Sequence, residues 1–119
     1  MTLIFVYGTL KRGGNNHHSL AGQTFLGEAR TPPGFRLYHL DGYPGMIAQA
    51  DDHDGVTGEV WSVDQTCLAQ LDLLEGLVEG LYRRVPAKLM PPFADRPIET
   101  YVYARSVEGR PALGSTWRK

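Results

Sequence analysis

Residues 3–14 of the chain are LIFVYGTLKRGG, an apolar run that stops at a glycine and continues as a glycine-rich loop. A short, continuous run of leucine, isoleucine, phenylalanine and valine suits a buried central strand better than an amphipathic helix. We therefore predict a central strand over residues 3–7. A loop should begin at Gly8 and include Thr9 and Leu10.

The segments that follow this strand are mostly typical of β structure. Residues 24–49 contain β-forming residues broken by the turn sequences PPG and GYPG, which predicts a meander of three strands. Residues 56–63, 81–90 and 98–105 predict three further strands. Residues 17–21 are compatible with a single helical turn.

One segment, residues 64–76 (DQTCLAQLDLLEG), carries the clearest helix signal. Asp64 is a suitable N-cap and Gly76 a suitable stop. Three leucines recur at a spacing of three and form one apolar stripe: Leu68, Leu71 and Leu74. Strands interrupted by one main helix indicate the α+β class, with a mixed and strongly curved sheet whose closure into a small β-barrel is a hypothesis.

Composition bounds the class of protein. A chain of 119 residues, 42% hydrophobic and 21% charged, predicts one globular domain over residues 1–119. The net charge of -1 without a basic stripe argues against a nucleic-acid partner, and the longest apolar runs are too short to span a membrane. The single Cys67 cannot form an internal disulfide, which suits a cytoplasmic location.

The glycine loop first suggests phosphate binding. Gly8 and Gly13 have P-loop spacing, but Gly14 and Asn15 stand where lysine and serine or threonine are required, and G-x-G-x-x-G is absent. The remaining hypothesis is a cradle of backbone N–H groups for a small anionic or carbonyl group. The alternative is a tight turn in which Gly8 only supplies a positive φ.

The search for catalytic groups favours a carboxylate. Cys67 lies within the helix pattern and should pack as a small apolar residue, and no G-x-S-x-G motif presents a serine. The four histidines are scattered, with no cysteine companions for a metal site, and the acidic residues 51–54 are interpreted as a solvated turn.

Glu75 is the strongest candidate for a general base. It lies at the C-terminal end of the predicted helix, where the macrodipole disfavours an ionised carboxylate and raises its pKa. Apolar neighbours could remove water from it: Leu73, Leu74, Leu77 and Val78. Asp72 and Glu79 are alternative bases. Tyr82 and Arg84 alternate on the next strand and could orient a carboxylate or substrate.

Three pieces of the chain together resemble the gamma-glutamylcyclotransferase-like family, in its small bacterial branch. VYGTLKRGGNNHHSL, residues 6–20, is similar to the Y-G-[ST]-L signature after the family's first strand, in the longer form of the gamma-glutamylamine cyclotransferases. GYPGMI, residues 42–47, is similar to a segment that lines the family's cavity. Residues 58–84 resemble its G-E-V-[WY]-x-[VIL]-[DE]…L-D-x-x-E-x…Y-x-R block, and TYVYAR, residues 100–105, fits its closing strand.

The resemblance implies a fold, a set of residues and a reaction. The fold would be a small irregular mixed β-barrel with one main helix and short helical turns. Glu75 would be the catalytic glutamate, and the substrate-binding residues would be Tyr7, Gly8, Thr9, Leu10 and Tyr82. Two departures stand out: Thr9 replaces the commoner serine, and the segment between Glu75 and Tyr82 is one residue longer than in the gamma-glutamylamine enzymes.

The implied reaction is a cyclisation that uses no cofactor and no metal. The α-amine of a small gamma-glutamyl amine or peptide attacks its own γ-amide carbonyl, releasing 5-oxoproline and a free amine, a transferase- or lyase-like step. Two alternatives stay open: a binding module that holds a gamma-glutamyl-like metabolite without turnover, and an interaction domain whose pocket is filled by side chains. The sequence leaves the leaving group and the oligomeric state undetermined.

Overall fold

The computed structural model describes residues 1–117. Residues 1–117 form seven strands, one α-helix and one 3₁₀ helix (His17–Leu20). In chain order the strands and the α-helix are β1 (Thr2–Val6), β2 (Thr24–Arg30), β3 (Phe35–His39), β4 (Pro44–Ala48), β5 (Thr57–Val63), α1 (Gln65–Leu74), β6 (Tyr82–Pro86) and β7 (Ile98–Tyr103). The three strands predicted over residues 24–49, the main helix and the single helical turn near residue 17 are confirmed. The meander is wrong, because β2 pairs with β5 and only β3 and β4 pair with each other.

The five-stranded sheet has the order β2-β5-β1-β7-β6, with β1 at its centre. β1 runs antiparallel to β5 and parallel to β7, so the sheet is mixed. β3 and β4 form a separate two-stranded sheet. The α+β class is confirmed, but the sheet does not close into a barrel, because β2 and β6 are its two edge strands and do not pair with each other.

The central position of β1 follows from its composition. Consecutive side chains of a strand point to opposite faces, and Ile4, Phe5 and Val6 are all buried. Ile4 packs in the cluster that includes Leu68 and Leu71 of α1, whereas Phe5 packs in the second cluster, on the other face. An apolar run is therefore needed here, because both faces of the strand are covered.

The helix begins where the sequence predicts. The Asp64 carboxylate accepts a hydrogen bond from the Cys67 N–H at 2.7 Å, which caps the helix. The helix ends at Leu74, and Gly76 takes a left-handed φ of 67° just after it. The predicted leucine stripe is wrong at its last position, because Leu74 is 44% exposed. The chain turns there, and Gly76 is buried in its place.

The turn at residues 51–54 contains a buried carboxylate. Asp52 is buried, and it accepts hydrogen bonds from the N–H groups of Gly34, Asp54 and Gly55. The interpretation of residues 51–54 as a solvated turn is therefore wrong for Asp52, which ties this turn to the start of β3.

Within residues 1–117, no helix has the length and apolar character that a membrane-spanning helix needs.

Candidate active site

A pocket lies where the end of β1, the end of α1 and strands β6 and β7 meet. Its wall brings together all six residues that the sequence and the resemblance assign to a site: Tyr7, Gly8, Thr9, Leu10, Glu75 and Tyr82. Five further residues complete it: Phe5, Val6, Tyr43, Pro44 and Tyr101. A cavity of about 40 Å³ remains between these side chains.

The loop after β1 is held in shape by its own turns. The Lys11 N–H donates to the Gly8 carbonyl at 3.1 Å, and Asn16 binds the Thr9 carbonyl and hydroxyl, each at 2.9 Å. Gly8 does not have a positive φ, so the tight-turn alternative for this residue is wrong. Its missing side chain serves another purpose: a Cβ here would lie 2.7 Å from Pro44 Cγ, so glycine permits close approach of the GYPG segment.

The loop offers backbone donors to a ligand. The amide N–H groups of Gly8, Thr9 and Leu10 donate to no acceptor within residues 1–117. All three residues line the pocket. Because unpaired amides of this kind bind anions and carbonyl oxygens, the loop has the chemistry that the cradle hypothesis requires.

Glu75 supplies the pocket's carboxylate. It is the residue that caps the C-terminal end of α1, and within the described chain its side chain accepts no hydrogen bond. Burial raises its pKa from an ordinary 4.5 to about 7. The direction of the predicted shift agrees and burial is its cause, but three of the four predicted neighbours, Leu73, Leu74 and Val78, are exposed and do not shield the carboxylate.

Three tyrosines, Tyr7, Tyr82 and Tyr101, line the pocket beside this carboxylate, and each hydroxyl donates its hydrogen bond to another group. The Tyr7 hydroxyl donates to the Tyr101 carbonyl at 2.7 Å and accepts from the Met46 N–H at 3.2 Å. The Tyr82 hydroxyl donates to the Pro44 carbonyl at 2.6 Å. Burial raises the pKa of each phenol, so the three remain neutral near neutral pH. Glu75 therefore lies among hydroxyl groups that do not stabilise its charge.

Asp72 and Glu79, the alternative bases, and Arg84, a candidate for binding substrate, do not take these roles in the pocket. Asp72 accepts two hydrogen bonds from Arg84, at 3.0 and 3.2 Å, and one from the Tyr101 hydroxyl at 2.7 Å. Glu79 is exposed and does not line the pocket. Arg84 also binds Glu99 at 2.8 Å, so its donors are used within the protein rather than directed at a substrate.

Tyr82 and Tyr101 show what sequence reasoning found and missed. Tyr82 is buried in β6 and lines the pocket with Glu75, in spite of the longer intervening loop. Tyr101 was not singled out from the sequence. Its signal was its place in β7, where it pairs with Arg84 of β6, but only the pairing of β7 with β1 brings it to the pocket.

The Cys67 thiol and the His17 ring pack against other parts of the protein. Cys67 is buried, and this burial raises the pKa of its thiol, in agreement with its predicted packing role. His17 contacts the Leu10 carbonyl at 3.1 Å and packs edge-on against Trp61. Across residues 1–117, no three histidine, cysteine, aspartate or glutamate side chains come together as a metal site requires.

Comparison with known proteins identifies the family. The family model described as "Gamma-glutamyl cyclotransferase, AIG2-like" matches residues 4–119. A Vibrio cholerae protein whose name gives gamma-glutamylcyclotransferase as its proposed activity is 48% identical over 82 residues, covering 69% of this chain and 68% of that protein. The gamma-glutamylcyclotransferase family protein YtfP of Escherichia coli K12 is 34% identical over 106 residues, covering 89% and 86% of the two chains.

A third relative has a named substrate. The gamma-L-glutamyl-butirosin B gamma-glutamyl cyclotransferase of Niallia circulans is 31% identical over 110 residues, covering 88% of this chain and 69% of that protein. Among solved structures, an AIG2-like protein from Mus musculus superposes with a TM-score of 0.74 at 29% identity, covering 97% and 87% of the two chains. These neighbours share the fold described above.

Proposed function

Since the chain belongs to the AIG2-like gamma-glutamyl cyclotransferase family, we propose that it converts a small gamma-glutamyl amine or peptide into 5-oxoproline and a free amine. Family membership supports cyclotransferase activity in general. The gamma-glutamyl substrate, the cofactor-independent cyclisation and the residue roles below are the parts that we propose. A cytoplasmic location and a single domain over residues 1–119 remain predictions from the sequence.

The observation that carries the proposal is the state of Glu75. Its carboxylate shares a pocket with three unpaired amides, receives no hydrogen bond within residues 1–117, and has its pKa raised by burial to about 7. A general base works best when its pKa is close to the operating pH. A carboxylate in this state suits proton transfer better than one held by internal donors.

In the proposed mechanism Glu75 transfers protons from the attacking nitrogen to the leaving nitrogen. The substrate's α-ammonium group must lose a proton before its nitrogen can attack the γ-carbonyl carbon, and Glu75 accepts that proton. The new carbon–nitrogen bond closes a five-membered ring, Glu75 returns the proton to the leaving nitrogen, and the bond to the leaving amine then breaks. The ring nitrogen loses its second proton to the departing amine, which leaves as an ammonium ion, so the Glu75 carboxylate is regenerated at the end of the cycle.

The loop after β1 would position the substrate for this step. Amides of Gly8, Thr9 and Leu10 would bind the glutamyl carboxylate or the oxyanion that develops as the ring closes. Because the nucleophile and the electrophile belong to one molecule, holding the substrate in a folded conformation provides much of the acceleration. The walls formed by Tyr7 and Tyr82 limit the conformations available to the bound glutamyl group.

The experiment is a substrate panel with 5-oxoproline release as the readout. Gamma-glutamyl amines and gamma-glutamyl peptides of different sizes are incubated with the wild type and with Glu75→Gln. We expect turnover of at least one member by the wild type, and a loss of about 10²- to 10⁴-fold in Glu75→Gln because the proton acceptor is removed. Glu108→Gln, an exposed carboxylate outside the pocket, is the matched control.

Two results would overturn the proposal in different ways. Absence of turnover across the panel, together with saturable binding of a gamma-glutamyl compound, would support the binding-module alternative. Full activity of Glu75→Gln would show that this carboxylate is not the proton acceptor, although the cyclotransferase assignment would stand. The identity of the best substrate would also define the leaving group.

A further inference from the structure

Behind the pocket wall lies a cluster of charged groups formed by Asp72, Arg84 and Glu99. Arg84 binds both carboxylate oxygens of Asp72, Nε to Oδ1 at 3.0 Å and Nη2 to Oδ2 at 3.2 Å, and its Nη1 binds Glu99 at 2.8 Å. Paired bonds of this kind fix both the position and the plane of a carboxylate. Asp72 is therefore a fixed acceptor.

This acceptor controls a hydroxyl group in the pocket. The Tyr101 hydroxyl donates to Asp72 Oδ1 at 2.7 Å, and Tyr101 lines the same pocket as Glu75. Asp72 and Glu75 are three residues apart at the end of α1, so their side chains lie on one side of the helix. Tyr101 thus lies near two carboxylates, and its single proton can serve only one of them.

We infer that Asp72, held by Arg84, is a positioning residue. It accepts the hydrogen bond of the Tyr101 hydroxyl and so leaves the Glu75 carboxylate without a donor. This inference rests on the proposed function only for its consequence, which is a base matched to neutral pH. Removal of the Asp72 carboxylate would free the Tyr101 hydroxyl to turn and donate to Glu75. A donor on an ionised carboxylate stabilises the charge and makes the group a weaker base.

The other groups that face Glu75 do not take over this role. Tyr7, at the end of β1, and Tyr82, in β6, donate to backbone carbonyls, and burial keeps both neutral. Tyr43, from the segment before β4, also lines the pocket. The charged groups that act on Tyr101 are Asp72, Glu75 and Arg84, and Asp72 is the one that accepts its hydrogen bond, so a change at Asp72 would alter this hydroxyl first.

The experiment measures the titration of the Glu75 carboxyl carbon by NMR in isotopically labelled protein, in the absence of substrate. In the wild type we expect a midpoint near pH 7, following the pKa of Glu75. In Asp72→Ala, which removes the acceptor, the midpoint should fall by about one unit or more, because Tyr101 now donates to Glu75. Glu79→Gln, which removes an exposed carboxylate four residues from Glu75, should leave the midpoint near 7.

The double variant Asp72→Ala/Tyr101→Phe separates this route from a direct charge effect. If Asp72 acts through the Tyr101 hydroxyl, removal of the hydroxyl restores the midpoint to near 7, so the two changes are not additive. A midpoint as low in the double variant as in Asp72→Ala would overturn the inference. An unchanged midpoint in Asp72→Ala would also overturn it.

The single variant Tyr101→Phe covers the case in which Asp72→Ala does not fold. Its Glu75 midpoint should stay near 7, because the hydroxyl that is removed donates to Asp72 and not to Glu75. A midpoint raised by about one unit or more would show that the hydroxyl stabilises the ionised Glu75 in the wild type, and would overturn the inference. Neither readout depends on turnover, so an inactive substrate panel would contradict the proposed function without affecting this result.

Discussion

Glu59 and Glu75 are two glutamates with opposite surroundings. Glu59, in β5, is buried and accepts hydrogen bonds from the Arg12 N–H at 3.1 Å, from Arg12 Nε at 3.0 Å and from Trp61 Nε1 at 3.1 Å. Burial alone would raise its pKa, but these donors hold the pKa below the ordinary value. Glu75 has burial without donors, and its pKa rises to about 7.

The difference distinguishes a carboxylate that supports the fold from one that is suited to chemistry. Glu59 fixes the β1 loop from behind, because both of its Arg12 contacts reach across from that loop. The Glu75 side chain makes no hydrogen bond within the described residues, so a carboxylate in this largely enclosed position points to a functional role. Arg12 is half exposed and paired with Glu59.

The largest effect on stability is expected from Glu59→Ala. Truncation leaves the Arg12 and Trp61 donors without their acceptor, and we expect a loss of about 2–4 kcal/mol in the free energy of unfolding. Chemical denaturation at pH 7 measures it. The control is Glu28→Ala, which removes a carboxylate that is 83% exposed and lies 3.8 Å from Arg12, and should change stability by less than about 0.5 kcal/mol. Equal losses in the two variants would contradict this account of Glu59.

A change of opposite sign is expected from Glu75→Gln. A carboxylate whose folded pKa lies above its unfolded value holds a proton in the folded state between about pH 4.5 and 7, and its ionisation destabilises the fold as pH rises through that window. Removal of the charge should therefore increase the free energy of unfolding by about 1–3 kcal/mol at pH 8. The increase in the free energy of unfolding is smaller than full burial would give, because the pocket opens to water.

The pH dependence is the check on this second prediction. Thermal unfolding of the wild type and of Glu75→Gln should nearly coincide at pH 4.5 and separate progressively up to pH 7 and above. If Glu75→Gln is less stable than the wild type at pH 8, the carboxylate has a stabilising partner, and the contrast with Glu59 is wrong.

A smaller effect is expected from Gly8→Ala, which tests the wall opposite Glu75. The added Cβ would lie 2.7 Å from Pro44 Cγ, so the loop or the GYPG segment must move, at a cost of about 1–2 kcal/mol. Gly114→Ala is the matched control, because a Cβ there meets nothing within 4 Å and the φ is not left-handed. The check compares the melting temperature and 5-oxoproline release of the two variants; an unaltered Gly8→Ala protein would show that close approach to Pro44 is unimportant.

The local elements of the fold could be predicted from the sequence. The apolar run at residues 3–7, the Asp64 cap and the glycine at 76 are local signals, and the strand and helix lie where these signals indicate. The open sheet could not be predicted, because the β1–β7 pairing joins residues about 95 positions apart and leaves β2 and β6 as edges. No pattern within a short stretch of the sequence predicts the β1–β7 pairing.

The same limit applies to the site. The position of Glu75 and the direction of its pKa shift could be predicted from its place at the helix end and from the resemblance. The groups around the carboxylate could not be predicted: Leu73 and Leu74 are exposed, and Tyr7, Tyr82 and Tyr101, from three separate parts of the chain, line the pocket beside it. The role of Arg84 was also hidden, because its partners Asp72 and Glu99 come from two other elements.

The most direct test of the central claim is the titration of both glutamates in one sample of the wild-type protein. Carboxyl carbon shifts of Glu59 and Glu75 are followed by NMR from pH 3 to pH 9, each assigned with its glutamine variant. The account predicts that Glu59 titrates below the ordinary glutamate value and that Glu75 titrates near pH 7. A Glu75 midpoint near 4.5, equal to that of an exposed glutamate, would contradict it.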